Sequence, residues 1–353
     1  MAADIAAIVP PLLRALTVLE FIARHLDPLT FDQMFAAVGT PDAPLRAELD
    51  GRDSEADAEP AIVAGRLALA AFDGIRDALA TGDDLFAVYA ALRHLPRALE
   101  ALYARAADDP AVNAFFLDSS LRGDPEALAR AGQPPREGET GVMHLDDEQG
   151  RYGGFSLYVP ETYTPAQPLP LVMALHGGAG RGRTFLWSWL RDARSFGAIV
   201  VAPTASGRAS GRSWALTGED VDTPNLHRIL DQVSARWRVD PARLLMTGMS
   251  DGGTFCYVSG LEAASRFTHL APVAATWHPL LAAMADADRI RDLPIHIVHG
   301  ARDWMFPVEV ARRAAEALGA AGANVRYREI DDLSHCYPRE INPALLAWLR
   351  ETP

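Results

Sequence analysis

Five residues, Gly248-Met249-Ser250-Asp251-Gly252, stand between the apolar run Leu244-Leu245-Met246 and a stretch of helical spacing. They restrict the folds open to this chain more than any other feature. A chain that passes from strand to helix in so few residues must turn sharply, and small residues two positions either side of the serine let it turn without a clash. The serine is left at the tip of the turn, ahead of a helix amino terminus that favours negative charge. The same residues also fit a plain glycine-rich turn. The strand before and the helix after form the context in which such a serine acts as a nucleophile.

The rest of the chain falls into two parts of different character. From Ile5 to His25 apolar residues recur at Ile5, Ile8, Val9, Leu12, Leu13, Leu16, Leu19 and Ile22, which places them on one face of a helix. Asp27-Pro28 reads as the cap and first turn of a second short helix through Phe35. Residues 38–60, poor in apolar side chains, read as an exposed loop. Helices follow over Ala61 to Ala80 and Asp84 to Ala106, the latter kinked or restarted at Pro96. Gly132, Pro134, Pro135 and Gly138 then break all periodicity, so the expected division is a helical domain over 1–130, a linker over 131–140 and a second domain over 141–353.

In the second domain β-rich runs alternate with helical ones, the pattern of a mostly parallel sheet covered on both faces. The expected strands are Gly141–Asp146, Gly153–Val159, Leu171–Leu175, Ala198–Ala202, Leu244–Thr247, Leu270–Ala274, Ile295–Val298 and Val325–Ile330, the first two as an antiparallel hairpin. Helices are expected over 182–195, 223–237, 251–262, 308–321 and 341–350.

Charge and composition exclude several chemistries. All 33 basic residues are arginine, so a Walker phosphate loop and a lysine Schiff base are both ruled out. The net charge of -13 argues against nucleic acid or an anionic membrane as partner. The excess is concentrated: residues 1–140 hold 23 acidic residues against 12 arginines, a net of -11, and the remainder 23 against 21. Cys256 and Cys336 are too few for a disulfide framework and lack metal-ligand spacing, which suits reduced thiols and a cytoplasmic location. The first residues carry no basic stretch ahead of an uninterrupted apolar run, so neither a signal peptide nor a membrane span is expected.

A serine hydroxyl needs a base, and a neutral imidazole suits the role. Of ten histidines, His335 in Leu333-Ser334-His335-Cys336 follows the last expected strand, where a side chain reaches over the carboxyl ends of the sheet. His296 and His299, three apart on one strand, point to opposite faces and do not make a metal site. His278 in Trp277-His278-Pro279 either lines the site or is a structural loop residue. Asp303, which follows Ile295–Val298, is the candidate carboxylate to orient the imidazole, with Asp331 and Asp332 as rivals. Leu175-His176-Gly177-Gly178-Ala179-Gly180 offers oxyanion donors, with the amides of Gly178 and Asp251 the first choices. Trp214, Trp277 and Trp304 either shape an apolar pocket or pack under loops.

Residues 141–353 resemble the α/β-hydrolase superfamily, and within it the esterases grouped with polyhydroxybutyrate depolymerases, feruloyl esterases and phospholipase/carboxylesterase-type enzymes. The resemblance is carried by Leu175-His176-Gly177-Gly178, Val239-Asp240-Pro241-Ala242-Arg243, Gly248 to Gly253, Gly300 with Asp303 and Pro307, and Ser334-His335. It implies an α/β-hydrolase fold and a serine esterase with Ser250, His335 and Asp303 as triad, acting on a small-molecule ester without metal or organic cofactor. Asp251 departs from the small or amide residue expected after the nucleophile, and its carboxylate disfavours anionic acyl groups nearby. A peptidase, an acyltransferase, and a catalytically silent binding protein are the alternative readings. Residues 1–130 match no family by their motifs, and their apolar helical faces are expected to cover the second domain or to join copies of the chain into a homo-oligomer.

Overall fold

The computed structural model describes residues 5–51, 58–82, 85–146, 152–206, 213–216 and 219–351. Two compact units emerge, residues 1–134 and 135–353.

The first unit is helical: α1 (Ile5–Arg24), α2 (Phe31–Val38), α3 (Ala43–Leu49), α4 (Pro60–Thr81), α5 (Leu85–Leu92), α6 (His94–Tyr103), α7 (Pro110–Phe115) and α8 (Pro125–Ala131). By length and composition α1 is apolar enough to cross a membrane. Here it buries Ile8, Leu12, Leu16, Leu19 and Ile22 and packs on α3, α4, α6 and α7. Asp-Pro pairs start α7 and α8, the Asp109 and Asp124 carboxylates each accepting two amides of the first turn. Asp27-Pro28 behaves differently from expectation. Asp27 closes a local turn by accepting from the Leu29 amide (2.9 Å), and the helix begins only at Phe31.

Two further expectations are corrected in this unit. The stretch 38–60 contains α3, which buries Leu45, while residues 52–57 lie outside the described ones, as does Asp84. This helix escapes a periodicity reading because charge and close contact hold it. Asp42 is 2% exposed and pairs with Arg46 (3.0 Å) and with Arg76, and a Cβ on Gly65 of α4 would lie 2.8 Å from Leu49. The break near Pro96 falls at Arg93, and Pro96 sits in the first turn of α6, where its missing donor costs nothing.

The second unit holds an eight-stranded sheet in the order β1-β2-β4-β3-β5-β6-β7-β8. Its strands are β1 (Gly141–Leu145), β2 (Phe155–Val159), β3 (Leu169–Leu175), β4 (Ile199–Pro203), β5 (Val239–Met249), β6 (His269–Val273), β7 (Pro294–Gly300) and β8 (Asn324–Ile330). β2 pairs antiparallel with both β1 and β4, and every other pairing is parallel. The central strands are buried on both faces, as the near-continuous apolar runs require. Helices α9 (Gly182–Phe185), α10 (Leu190–Phe196), α11 (Asp222–Arg236), α12 (Asp251–Gly260), α13 (Pro279–Met284), α14 (Ala287–Ile290), α15 (Val308–Ala320) and α16 (Asn342–Glu351) complete the unit. The single helix expected over 182–195 is interrupted by a tight turn at Leu186–Ser188, and α13 and α14 are too short for periodicity to reveal.

Much of the stretch expected as a linker is docked on this unit. The Arg136 guanidinium donates to the carbonyls of Glu161 (3.3 Å) and Tyr163 (2.8 Å), and the Trp237 indole donates to that of Glu139 (2.7 Å). Strand order locates the ligand crevice. β3 lies between β4 and β5, so the loops leaving β3 and β5 diverge to opposite sides and open a cleft at the carboxyl ends of these strands.

Candidate active site

The turn from β5 to α12 places Ser250 at φ 55 and ψ -117, a conformation costly for any residue with a side chain. Its neighbours are small because there is no room for more. A Cβ on Gly248 would lie 2.5 Å from the Gly252 backbone, and one on Gly252 would lie 2.4 Å from the Leu175 carbonyl oxygen. Hydrogen bonds hold the strained residue at both ends. The Ser250 amide donates to the Val273 carbonyl (3.0 Å), and the Ser250 carbonyl accepts from the amide (2.8 Å) and hydroxyl (3.0 Å) of Thr254.

His335 and Asp303 arrive from the ends of β8 and β7. The Ser250 hydroxyl donates to His335 Nε2 (3.0 Å), and His335 Nδ1–H donates to Asp303 Oδ2 (2.8 Å). All three residues are buried. The other oxygen, Asp303 Oδ1, accepts the amides of Met305 (2.9 Å) and Phe306 (2.8 Å), so the carboxylate is fixed before the imidazole meets it. Gly300 allows the histidine loop to approach, since a Cβ there would fall 2.2 Å from the Leu333 carbonyl oxygen. The rivals Asp331 and Asp332 are exposed.

His299 supports this arrangement from below. It is fully buried, donates from Nε2 to the Phe306 carbonyl (2.8 Å), and lies 3.4 Å from Asp303 Oδ2. His296 instead faces the Trp348 ring at 5.4 Å, as the alternation of a strand requires. Among the described residues no group of three His, Cys, Asp or Glu is placed to hold a metal ion.

The glycine loop after β3 lies directly against the serine. Positions where a Cβ would stand on Gly177 and Gly178 are 3.5 Å from Ser250 Cβ and 2.9 Å from Asp251 Oδ2. Asp251 Oδ2 also accepts from the Ser213 hydroxyl (2.7 Å). His176 shapes this loop: Nδ1–H donates to the Gly177 carbonyl (2.7 Å) while Nε2 accepts from the Ala205 amide (3.1 Å).

Of the residues expected to line a pocket, the structure brings only Trp304 near the imidazole. The residue is 39% exposed, and its ring stands 6.4 Å from that of His335. Trp214 is buried, donates its indole N–H to the His176 carbonyl (2.7 Å) and stacks on Phe255, so it is a prop for the glycine loop. Trp277 is buried edge-on against Tyr257 in the core. His278 is exposed and caps α13 through Nδ1 (3.2 Å to the Leu280 amide). An aromatic residue that the sequence reading passed over, Phe306, lies closer to His335 than Trp304 does, with ring centroids 5.3 Å apart. The only sequence signal for it is its position three residues after Asp303.

No protein-family model matches the chain. The sequence is 29% identical over 161 residues, 44% of this chain, to the bifunctional acetylxylan esterase/xylanase XynS20E of Neocallimastix patriciarum, covering 22% of that protein. It is 27% identical over 115 residues, 31% of this chain, to acyl-protein thioesterase 1 of Gibberella zeae, covering 48% of that protein. The chain thus spans less than half the length of either curated relative. Among solved structures, a truncated carbohydrate esterase from gut microbiota shares the fold over 62% of this chain and 98% of its own, with a TM-score of 0.50 and 13% identity. Strand order and the serine turn between β5 and α12 give the second unit an α/β-hydrolase fold, and over part of its length the chain is similar in sequence to esterases.

Proposed function

We propose that this protein hydrolyses carboxylic esters through an acyl-enzyme formed on Ser250. The observation that carries this reading is the continuous line of hydrogen bonds from Ser250 Oγ through His335 to Asp303, 3.0 and 2.8 Å long. In the first step Ser250 Oγ attacks the ester carbonyl while His335 Nε2 takes the hydroxyl proton. Asp303 holds the Nδ1–H tautomer and stabilises the imidazolium. The carbonyl oxygen becomes an oxyanion that the amides of Gly178 and Asp251 receive, one from the glycine loop and the other from the first turn of α12. His335 then returns the proton to the departing alcohol, and water repeats the sequence to release the acid.

The esterase and thioesterase names of the two curated relatives support acyl transfer to water. A test presents the purified protein with 4-nitrophenyl esters, the matching anilides and a competing alcohol. Release of acid from esters, with little from anilides and little transfer to the alcohol, is the expected result. Preferential anilide cleavage or ester synthesis would reassign the activity to a peptidase or an acyltransferase.

A further inference from the structure

One charged group beside Ser250 has no part in the hydrolysis described above. Asp251 lends that chemistry its backbone amide, yet its side chain is a carboxylate held against the opposite oxyanion loop. Oδ2 accepts from Ser213 (2.7 Å), and the position of a Cβ on Gly178 is 2.9 Å away. The side chain is partly exposed, and its one side-chain hydrogen bond among the described residues comes from a neutral hydroxyl. Among the described residues no guanidinium pairs with it.

A negative charge at this position opposes the negative charge that develops on the substrate carbonyl oxygen. An asparagine would accept the same hydrogen bond from Ser213 without that cost. The carboxylate therefore adds nothing to the turnover of a neutral ester, and its charge acts on charges that the substrate itself carries. Resting on the ester-hydrolase reading, we propose that Asp251 is a specificity-determining residue that sorts substrates by charge. Esters with a cationic group a few bonds from the scissile carbonyl are favoured, and esters with an anionic group there are rejected. Unit charges separated by a few ångströms beyond van der Waals contact, in a partly solvated cleft, give a discrimination of roughly ten- to fiftyfold in each direction.

The test measures kcat/KM for three 4-nitrophenyl esters whose four-carbon acyl chains end in trimethylammonium, methyl or carboxylate, using the full-length protein and Asp251→Asn. The wild type is expected to prefer them in that order. Asp251→Asn, which keeps an acceptor for Ser213, should compress the series to within about threefold. A second measurement needs no variant: raising ionic strength should narrow the wild-type spread, because a partly exposed charge is screened. Equal kcat/KM across the three esters in the wild type, or an order that persists in Asp251→Asn, overturns this inference alone. Failure to hydrolyse any of the three, with Ser250 unreactive to a fluorophosphonate, overturns the ester-hydrolase reading and this inference with it.

Discussion

Asp42 in the helical unit and Asp303 in the sheet unit are both buried carboxylates, 2% and 8% exposed, but their partners differ in kind. Asp42 meets two guanidiniums, Arg46 and Arg76, and Arg46 is shared with Asp73 (2.6 Å). A guanidinium keeps its proton at any pH a protein survives, so this is a closed cluster of fixed charges. Its arginines hold the Asp42 carboxyl below the usual carboxylate range despite the opposing effect of burial. Asp303 meets two backbone amides and two imidazoles, His335 at 2.8 Å and His299 at 3.4 Å, and the first of these leads on to a hydroxyl. That line can pass a proton along. The same residue type is thus a staple in one unit and, in the proposed mechanism, part of a proton path in the other, and the partner decides which.

The sharpest way to break this contrast is to remove each partner in turn. Ser250→Ala and His335→Ala should each abolish ester hydrolysis to a similar degree, and the double variant should fall no further, because the groups act as one. Asp303→Asn should lower kcat by a factor on the order of ten thousand while leaving the fold intact, since the amide favours the wrong imidazole tautomer. Steady-state kinetics with circular dichroism as control checks both. Full activity in Asp303→Asn, with loss in Asp331→Asn or Asp332→Asn, would reassign the acid.

Asp42→Ala should act in the opposite sense, on stability and not on chemistry. Breaking a buried pair costs about 3–5 kcal/mol, but both arginines are partly in water, so a loss nearer about 2 kcal/mol is expected. Denaturant unfolding measures the loss, and fluorophosphonate labelling of Ser250 should be unchanged under native conditions. A large drop in labelling would mean that the ion cluster bears on the chemistry.

A smaller effect concerns two histidines outside the proton path. His269 and His296 flank the Trp348 ring at 4.8 and 5.4 Å, and burial pulls both down to about 4. The arginines at 326 and 328 reinforce the shift at His296. Neutral imidazole is the form the fold prefers, so unfolding takes up protons. Their contribution is fully present above about pH 6.5 and is lost as pH falls toward about 4. Denaturation midpoints followed across this window should decline on acidification, and His269→Phe should flatten part of the slope.

What the sequence made legible divides along the same lines. Ser250, Asp303 and His335, which the structure brings together, were picked out because each follows a strand, and strand ends are local features. The strands of the sheet were likewise visible, most as apolar runs and β8 by its alternation, although β5 extends back to Val239 past Pro241. The residues that shape the site were less visible, because their roles depend on distant partners. Trp214 supports a carbonyl 38 positions earlier, and a lone tryptophan in a loop gives no sign of that. His176 was seen as part of a glycine motif, yet its contact with the Ala205 amide 29 residues on has no sequence signature. The helix α3 was hidden for the related reason that a salt cluster around the buried Asp42, beside a single buried leucine and not an apolar stripe, holds it in place.

The most direct test of a proton path ending on Ser250 is to treat the full-length protein with a fluorophosphonate and map the adduct by mass spectrometry. A single adduct on Ser250, formed quickly in the wild type and at a small fraction of that rate in His335→Ala and Asp303→Asn, is the predicted result. An unlabelled Ser250, or labelling at the same rate in all three proteins, would contradict the account.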